Sequence, residues 1–371
     1  MSVFRIRISA NRKLKENQKK TKILEISSYP PPRAGWGVRV SFIKEALIDS
    51  GHVCEVLNTS PFSRTIPSNE YLTTLSGFDY FKKVFNRCLK GYLVHMHMNG
   101  DSPKGFFLTT LAITISLLTL RRPILTFHAG PHQKYFPQER APLLTPLYKY
   151  IFNASKKIIC NDEAVKEKII NYGIRPEKII PVRAFSVQYL NFHAVSVNGS
   201  LKQFMENRSP LISTYIFMRP EFFVENLIDA IIGLVKKYPD LGLIILGLDN
   251  GFERIRMSIE KEGIGDNLFF AGDQTHDSFL TIISKSDIYL RTPVKDGVCS
   301  SVLEALSLKI PVVASENQRR PESVITYDND DITDMVKVLD DVIRNITVYK
   351  SKVVIPFIDD TVKEEIRILT E

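Results

Sequence analysis

Cysteine is scarce in this sequence. Four residues out of 371, Cys54, Cys88, Cys160 and Cys299, lie far apart with no C-x-x-C or Cys/His spacing. That excludes a disulfide scaffold and a zinc-ribbon site, and predicts free thiols in a reduced, intracellular setting. Long apolar runs are missing too. The longest, Phe106 to Leu120, is 15 residues and is broken by Thr109, Thr110, Thr114, Ser116 and Thr119; a bilayer span needs ~20 apolar residues. No Walker loop occurs, no Ser-His-Asp order, and no G-x-G-x-x-G opening a βαβ unit, which argues against a P-loop NTPase, a serine hydrolase and an NAD dehydrogenase. Glycine and proline, at 18 and 20 residues, exclude a collagenous or low-complexity chain.

Charge is also nearly absent from the body of the chain. Of the formal +8, all but one unit sits in residues 1–22, where Arg5, Arg7, Arg12, Lys13, Lys15, Lys19, Lys20 and Lys22 face only Glu16. A basic arm of this kind is either simply solvated or attracted to an anionic lipid surface. No aromatic-basic module for stacking bases is present, so nucleic acid is not an expected partner. The segment lacks a clean apolar stretch and a small-residue cleavage site, so it is not read as a signal peptide.

What is present is repeated β/α alternation over a length that suits two domains. Lys22–Ser27, Val53–Leu57, Leu93–Met98, Pro123–Phe127 and Lys157–Cys160 read as strands. Helical spacing follows Phe42, and again Lys104 and Asp162, the last a helix N-cap. Between Pro181 and Pro210 the periodicity stops. It resumes with strands at Leu211–Phe217, Leu241–Leu246, Leu268–Ala271, Ile288–Leu290 and Val312–Ala314, and with helices at Glu225–Lys237, Phe252–Glu262, Ser278–Lys285, Ser300–Leu308 and Ile332–Asn345. Continuous apolar strands alternating with helices predict parallel sheets covered on both faces. The expected division is a basic tail 1–21, a first domain 22–190, a linker 191–209, a second domain 210–345, and a tail 346–371 that packs back on the first domain.

The segment richest in chemistry is Thr292-Pro-Val-Lys-Asp-Gly-Val-Cys-Ser-Ser-Val-Leu-Glu-Ala305. A loop of small residues leads into a helix whose N-terminal amides and dipole suit a phosphate. Gly297 allows close backbone approach, Ser300 and Ser301 can cap or donate, Glu304 one turn in can accept from a ribose hydroxyl pair, and Asp296 can hold a sugar hydroxyl. A capped helix with a stray acid is the plainer account. This segment resembles the donor-site motif of the family 4 glycosyltransferases with the GT-B fold: an acidic residue, seven others, then Glu. Ser28-Tyr-Pro-Pro-Pro-Arg-Ala-Gly-Trp-Gly37 and Gly51-His-Val-Cys-Glu-Val56 are similar to that family's opening glycine loop and following strand. Leu93-Val-His-Met-His97 and Leu125-Thr-Phe-His-Ala-Gly130 resemble its next core strands, and Leu290-Arg-Thr-Pro293 stands where the family often has a Pro-Ser pair.

The resemblance implies an α/β protein of GT-B fold, two Rossmann-like, doubly wound parallel-sheet domains facing an interdomain cleft. It implies a retaining, metal-independent glycosyltransferase that takes a UDP- or GDP-linked sugar as co-substrate, with no other cofactor. The acceptor would be a glycan or lipid-linked hydroxyl, at the inner face of the cytoplasmic membrane. His128, Asp296 and Glu304 would be the catalytic set. Gly35, Gly37, Arg219, Lys295, Gly297, Val298, Cys299, Ser300, Ser301 and Val302 would surround the donor and its phosphates. One departure stands out. The family's Arg and Lys, five apart after the second domain's first strand, align with Phe217 and Phe222, so Arg219 and Lys295 are the substitutes at hand. Loss of that pair keeps open a catalytically silent sugar- or nucleotide-binding homologue, alongside a GT-B nucleotide-sugar epimerase.

Other residues read in two ways. His128 either touches the sugar or acceptor or caps its loop. Trp36 is either an acceptor platform or loop packing. His95 and His97 alternate on one strand, so they share a face; without a third ligand in view, core packing is preferred to a metal pair. Asp328-Asn-Asp-Asp331 looks like a metal-binding D-x-D, but its place before the last helix makes it an N-cap.

Overall fold

The computed structural model describes residues 20–31, 36–130, 133–247, 251–294, 299–329 and 331–371. The chain divides into two compact units. The first runs through Ser186 and takes back Asp360–Glu371; the second is Val187–Asp359.

The first unit is built on six parallel strands, β1 Lys22–Ser27, β2 Val53–Asn58, β3 Leu93–Met98, β4 Ile124–Phe127, β5 Lys157–Cys160 and β6 Ile179–Pro181, in the order β2-β1-β3-β4-β5-β6. The reversal of direction between β1 and β3 makes a topological switch point there. On one face Leu24, Ile26, Val94, Met96, Leu125 and Phe127 pack with helices α2 (Gly77–Leu89), α3 (Pro103–Leu118), α4 (Thr145–Ala154) and α5 (Glu163–Ile170). Asp162 caps α5 through a bond from Val165 N. On the other face, α1 (Trp36–Asp49) and the C-terminal helix Thr361–Thr370 bring Ile43, Leu47, Val362, Ile368 and Leu369 against Ile23, Ile124 and Ile159. Each such fully buried aliphatic side chain contributes about 1.5–3 kcal/mol.

The second unit repeats the plan with β7 Leu211–Tyr215, β8 Gly242–Leu246, β9 Leu268–Gly272, β10 Ile288–Arg291, β11 Val312–Ser315 and β12 Ile325–Tyr327 in the order β12-β11-β10-β7-β8-β9. Its switch point lies between β7 and β10. Gly247, just past β8, has φ +115, and a Cβ there would stand 2.2 Å from the Ile216 carbonyl oxygen, so only glycine lets these two segments approach.

Three boundaries differ from the sequence-based expectation. The stretch without periodicity hides helix α6 (Gly199–Glu206), whose Leu201 is buried in the second unit's core. A helix of eight residues shows barely two turns of pattern, too little to detect by spacing. The passage between units therefore falls at Ser186–Val187 rather than within 191–209. The expected tail 346–371 is split. Helix Ile346–Lys352 stays with the second unit, where Ile346 and Tyr349 join the core, and Thr361–Thr370 returns to the first. Asp331 caps helix Ile332–Arg344 through Thr333 N and Asp334 N, as its place in the sequence predicts.

Candidate functional site

Register builds the first cluster. Parallel pairing sets Glu25 of β1 beside His95 of β3, and His97 of β3 beside Thr126 of β4. Side chains at alternate positions share a face, so Glu25, His95, His97 and Thr126 form a polar layer among the aliphatic residues under α1. The Glu25 carboxylate accepts from His95 Nδ1 at 2.9 Å and from His97 Nε2 at 2.8 Å. His95 Nε2 lies 2.7 Å from Thr126 Oγ1, which donates to Glu365 Oε1 at 3.2 Å. Arg39 closes the far side. It is bonded to Glu365, to the Ala184 carbonyl, and to Thr361 through both hydroxyl and carbonyl. At the near side, His97 Nδ1 is 2.8 Å from His128 Nε2, and Trp36 stacks on the His128 ring at 4.5 Å.

These contacts decide the charges. Burial pushes the Glu25 carboxyl up, but the His95 charge and the hydrogen bonds from both histidines prevail and bring it to about 2. Burial lowers His95, yet Glu25 and Glu365 outweigh it and the imidazolium is favoured. His97 is lowered by burial and by the His95 charge. His128 falls well below the ordinary range, through burial and the neighbouring His97, Arg39 and His95. Glu365 is held down: burial raises it, but Arg39 and His95 outweigh that. Two carboxylates and two cations thus balance in the interior.

Glu25 is the third group that sequence reasoning did not supply for His95 and His97. The three are metal-ligating types, with ligand atoms within 4.8 Å of one another. Their ligand atoms lie 2.8–2.9 Å apart, distances at which hydrogen bonds between the imidazoles and the carboxylate account for the cluster. The simple packing role expected for the two histidines gives way to a polar network.

The opening loop also differs from expectation. Trp36 and Gly37 belong to the first turn of α1. A Cβ on Gly37 would stand 3.4 Å from the Ser28 carbonyl oxygen, an ordinary contact distance, so the helix start lies beside the end of β1 without requiring glycine at this position. Arg39, one turn on, is buried in the ion pair with Glu365. Gly35 lies outside the described residues.

In the second unit, the segments flanking the switch point carry the donor-site candidates. Lys295, Asp296, Gly297 and Val298 lie outside the described residues. Helix α10 (Ser300–Ser307) begins after Cys299, which makes no side-chain cap. Ser301 does not cap either; its hydroxyl is 3.1 Å from the Cys299 thiol. The Val302 amide is taken up by the Cys299 carbonyl and its side chain is core, so this residue offers no group to a phosphate. Glu304 is buried and bonded to His276 Nε2 at 2.9 Å. Burial raises its pKa and the His276 contact offsets part of the rise. Sequence reasoning missed His276, the first residue of helix His276–Ser284; its only signal would have been a histidine beside the Thr275 cap.

Phe217 and Phe222 meet edge to face at 5.5 Å, and Phe222 is buried in the core. Each carries an arginine over its ring. Arg219 lies 5.5 Å above Phe217, and Arg291, the last residue of β10, lies 5.3 Å above Phe222 while bonding the Tyr215 carbonyl. Arg320 holds the Pro293 and Ser315 carbonyls and so fixes where the β10–α10 loop departs.

Two six-stranded parallel α/β units with this strand order define the class, a two-domain α/β fold of the GT-B kind. Solved structures agree. The chain superposes on Anabaena HepE in complex with UDP (TM-score 0.57, 15% identity, 94% of this chain and 95% of that one). It also superposes on the MnaA–UDP structure of S. aureus (TM-score 0.63, 17% identity, 94% and 95%). A third likeness is the sucrose-phosphate synthase of Thermosynechococcus elongatus (TM-score 0.62, 17% identity, 95% and 95%). Residues 35–183 match the Glycosyltransferase Family 4 model and 209–345 the Glycosyl transferases group 1 model. The chain belongs to the group 1, family 4 glycosyltransferases. Two uncharacterized glycosyltransferases of Methanocaldococcus jannaschii are similar in sequence. One is 25% identical over 179 residues (48% of this chain, 45% of that one), the other 23% over 211 (54% and 50%). The chain spans about half the length of these curated relatives.

Proposed function

We propose that the protein transfers a sugar, with retention, from a nucleoside diphosphate sugar to a hydroxyl acceptor. The observation that carries this reading is Glu304, a buried carboxylate one turn into α10, positioned by His276 beside the β7–β10 switch point. Strand ends at such a point are where nucleotides bind in open α/β sheets. Glu304 accepts from the ribose hydroxyls and Asp296 from a sugar hydroxyl, and His128 in the first unit touches a substrate hydroxyl. The diphosphate takes its countercharge from the amides leading into α10 and from Arg219, Lys295 and Arg291. Arg219 and Arg291, each held over an aromatic ring, take the place of the two missing cations of the β7–α7 loop (α7, Val224–Lys237). In the transfer, the bond from the anomeric carbon to the phosphate oxygen breaks and its electron pair stays on the diphosphate. The acceptor oxygen attacks from the same face, and its proton passes to the departing phosphate. UDP is the favoured nucleotide, because structures of similar fold were solved with it.

The acceptor is a glycan or lipid-linked hydroxyl at a membrane surface. A cavity of about 220 Å³ in the first unit, lined by Arg64, Leu75, Lys104 and Phe107, supports this reading. Exposed Phe78 adjoins its lining residue Gly77, and no helix among the described residues is long and apolar enough to cross a membrane.

Thermal shift with UDP, GDP and their sugars tests the donor half. A ligand at ~100 times its dissociation constant stabilises by ~2.7 kcal/mol. The expected result is a response to one nucleotide class that Glu304→Ala removes. No response to any nucleotide would end the reading. The Phe217 and Phe222 replacements favour a second one, a silent binding homologue, which predicts binding without turnover.

A further inference from the structure

The contacts around His97 determine more than packing. The Glu25 carboxylate can only accept, and it receives both His95 Nδ1 and His97 Nε2. His97 is buried next to the His95 imidazolium, which keeps it neutral. A neutral His97 with its proton on Nε2 has a bare lone pair on Nδ1. The only partner shown for that lone pair is His128 Nε2 at 2.8 Å, so His128 must carry its proton there. His128 is itself neutral, through burial and the neighbouring His97, Arg39 and His95. Its Nδ1 is then left as an acceptor, on a half-buried ring whose plane is fixed by Trp36 and whose backbone N–H is held by the Met98 carbonyl.

We infer that Glu25 and His97 are positioning residues that lock His128 in the Nε2–H tautomer and present its Nδ1 to a hydroxyl hydrogen of the bound substrate. The chain runs from Glu25 through His97 to His128, and each link is a directed hydrogen bond. His128 therefore receives a hydroxyl instead of donating to a carbonyl or phosphate oxygen. The acidic groups Glu25 and Glu365, with the Thr126 hydroxyl at His95 Nε2, hold His95 charged against burial and the nearby Arg39, which keeps the next proton off His97. The tautomer follows from the fold alone. Its use at a substrate rests on the transferase reading above.

Two variants of one residue separate the links. Asparagine at 97 keeps an oxygen near the former Nδ1 and can still accept from His128, whereas glutamine keeps an N–H near the former Nε2 and serves only Glu25. Each loses one bond, so a purely structural role would affect both alike. Imidazole ¹⁵N–¹H correlation spectra of the full chain, labelled at histidine and assigned with His128→Gln, read the tautomer without ligand. The expected result is a proton on Nε2 and an unprotonated Nδ1 at His128 in the wild type and in His97→Asn, with a mixture in His97→Gln. A proton on His128 Nδ1 in the wild type, or an unchanged tautomer in His97→Gln, overturns the inference. The second readout is UDP release from UDP-glucose and UDP-N-acetylglucosamine by hydrolysis, with water as the acceptor. Here kcat should fall about 10-fold in His97→Gln and not in His97→Asn, at similar KM; equal losses in the two would refute the role in turnover. If neither sugar nucleotide is turned over by the wild type, a role for His128 on these two donors is refuted, while the spectra still decide the tautomer.

Discussion

Arg39 and Glu365, 326 residues apart, meet at 2.6 Å with 2% and 0% of their side chains exposed. The pair ties the first helix of the chain's first unit to the last helix, and the last helix lends its carboxylate to the polar layer under β1 and β3. Removing one member leaves an uncompensated charge in the interior, which costs about 3–5 kcal/mol. Glu365→Gln or Arg39→Met is therefore expected to lower the melting temperature sharply, and joint replacement by apolar residues should recover part of the loss. A double variant no better than the singles would contradict this account.

The histidine cluster sets a pH of greatest stability. Unfolded, its three histidines His95, His97 and His128 gain protons as pH falls through the ordinary value of 6.5. Folded, His95 keeps its proton above that value, while His97 and His128 resist theirs below it. On the acid side the unfolded chain holds more protons, so stability falls with pH; on the alkaline side the folded chain holds one more, so stability falls as pH rises until the raised His95 value is passed. Glu25, already depressed, adds further loss only between its unfolded value of 4.5 and about 2. Urea titrations from pH 5 to 8 should show the cluster's contribution greatest near 6.5. In His128→Gln the acid limb should be shallower by up to about 1.4 kcal/mol per pH unit.

Glu304 titrates above the ordinary carboxylate range because it is buried. If its anion receives the ribose hydroxyls, UDP affinity weakens on acidification sooner than an ordinary glutamate would require. Glu304→Gln should cost about 10- to 100-fold in UDP affinity. His276→Ala, which removes the group positioning Glu304, should cost less. Isothermal titration across pH 5 to 8 measures both; a Glu304→Gln variant that binds UDP normally would remove Glu304 from the site.

Arg219 is half exposed and makes a contact of 3.9 Å with Glu221, so its loss should leave stability within about 0.5 kcal/mol. Its removal should weaken UDP more than uridine, since only the former carries the diphosphate. Equal effects on the two ligands would separate Arg219 from the phosphates.

Phe78 and Phe107 expose 77% and 63% of their surface in the neighbourhood of Arg64 and Lys104. Phe78→Ser with Phe107→Ser is expected to reduce co-sedimentation with vesicles containing anionic lipid and to leave binding of UDP unchanged. Undiminished co-sedimentation would assign any membrane contact to another surface.

Much of the fold is legible from local pattern. Apolar strands such as Leu211–Tyr215 and Ile288–Arg291, separated by amphipathic helices, give the parallel sheets because a strand buried on both faces must be apolar throughout. Short elements escape this test: α6 and β12 hold too few residues to establish a period. The donor-side residue Glu304 is visible because its helix N-terminus and small-residue loop are contiguous in the chain, whereas His276 comes from a separate helix and carries no local mark.

The sequence by itself determined the two β/α units, the placement of Glu304 one turn into α10, and the fact that His95 and His97 face one way, since all of these follow from spacing within a single element. Only the tertiary structure decided which groups those histidines meet. Glu25 stands beside His95 because β1 and β3 are neighbours in parallel register, and Glu365 reaches Thr126 because the chain's last helix returns to the first sheet. Strand order and helix docking are set by burying apolar area across the whole unit. The charge state and tautomer of each imidazole then follow from partners that local sequence does not specify.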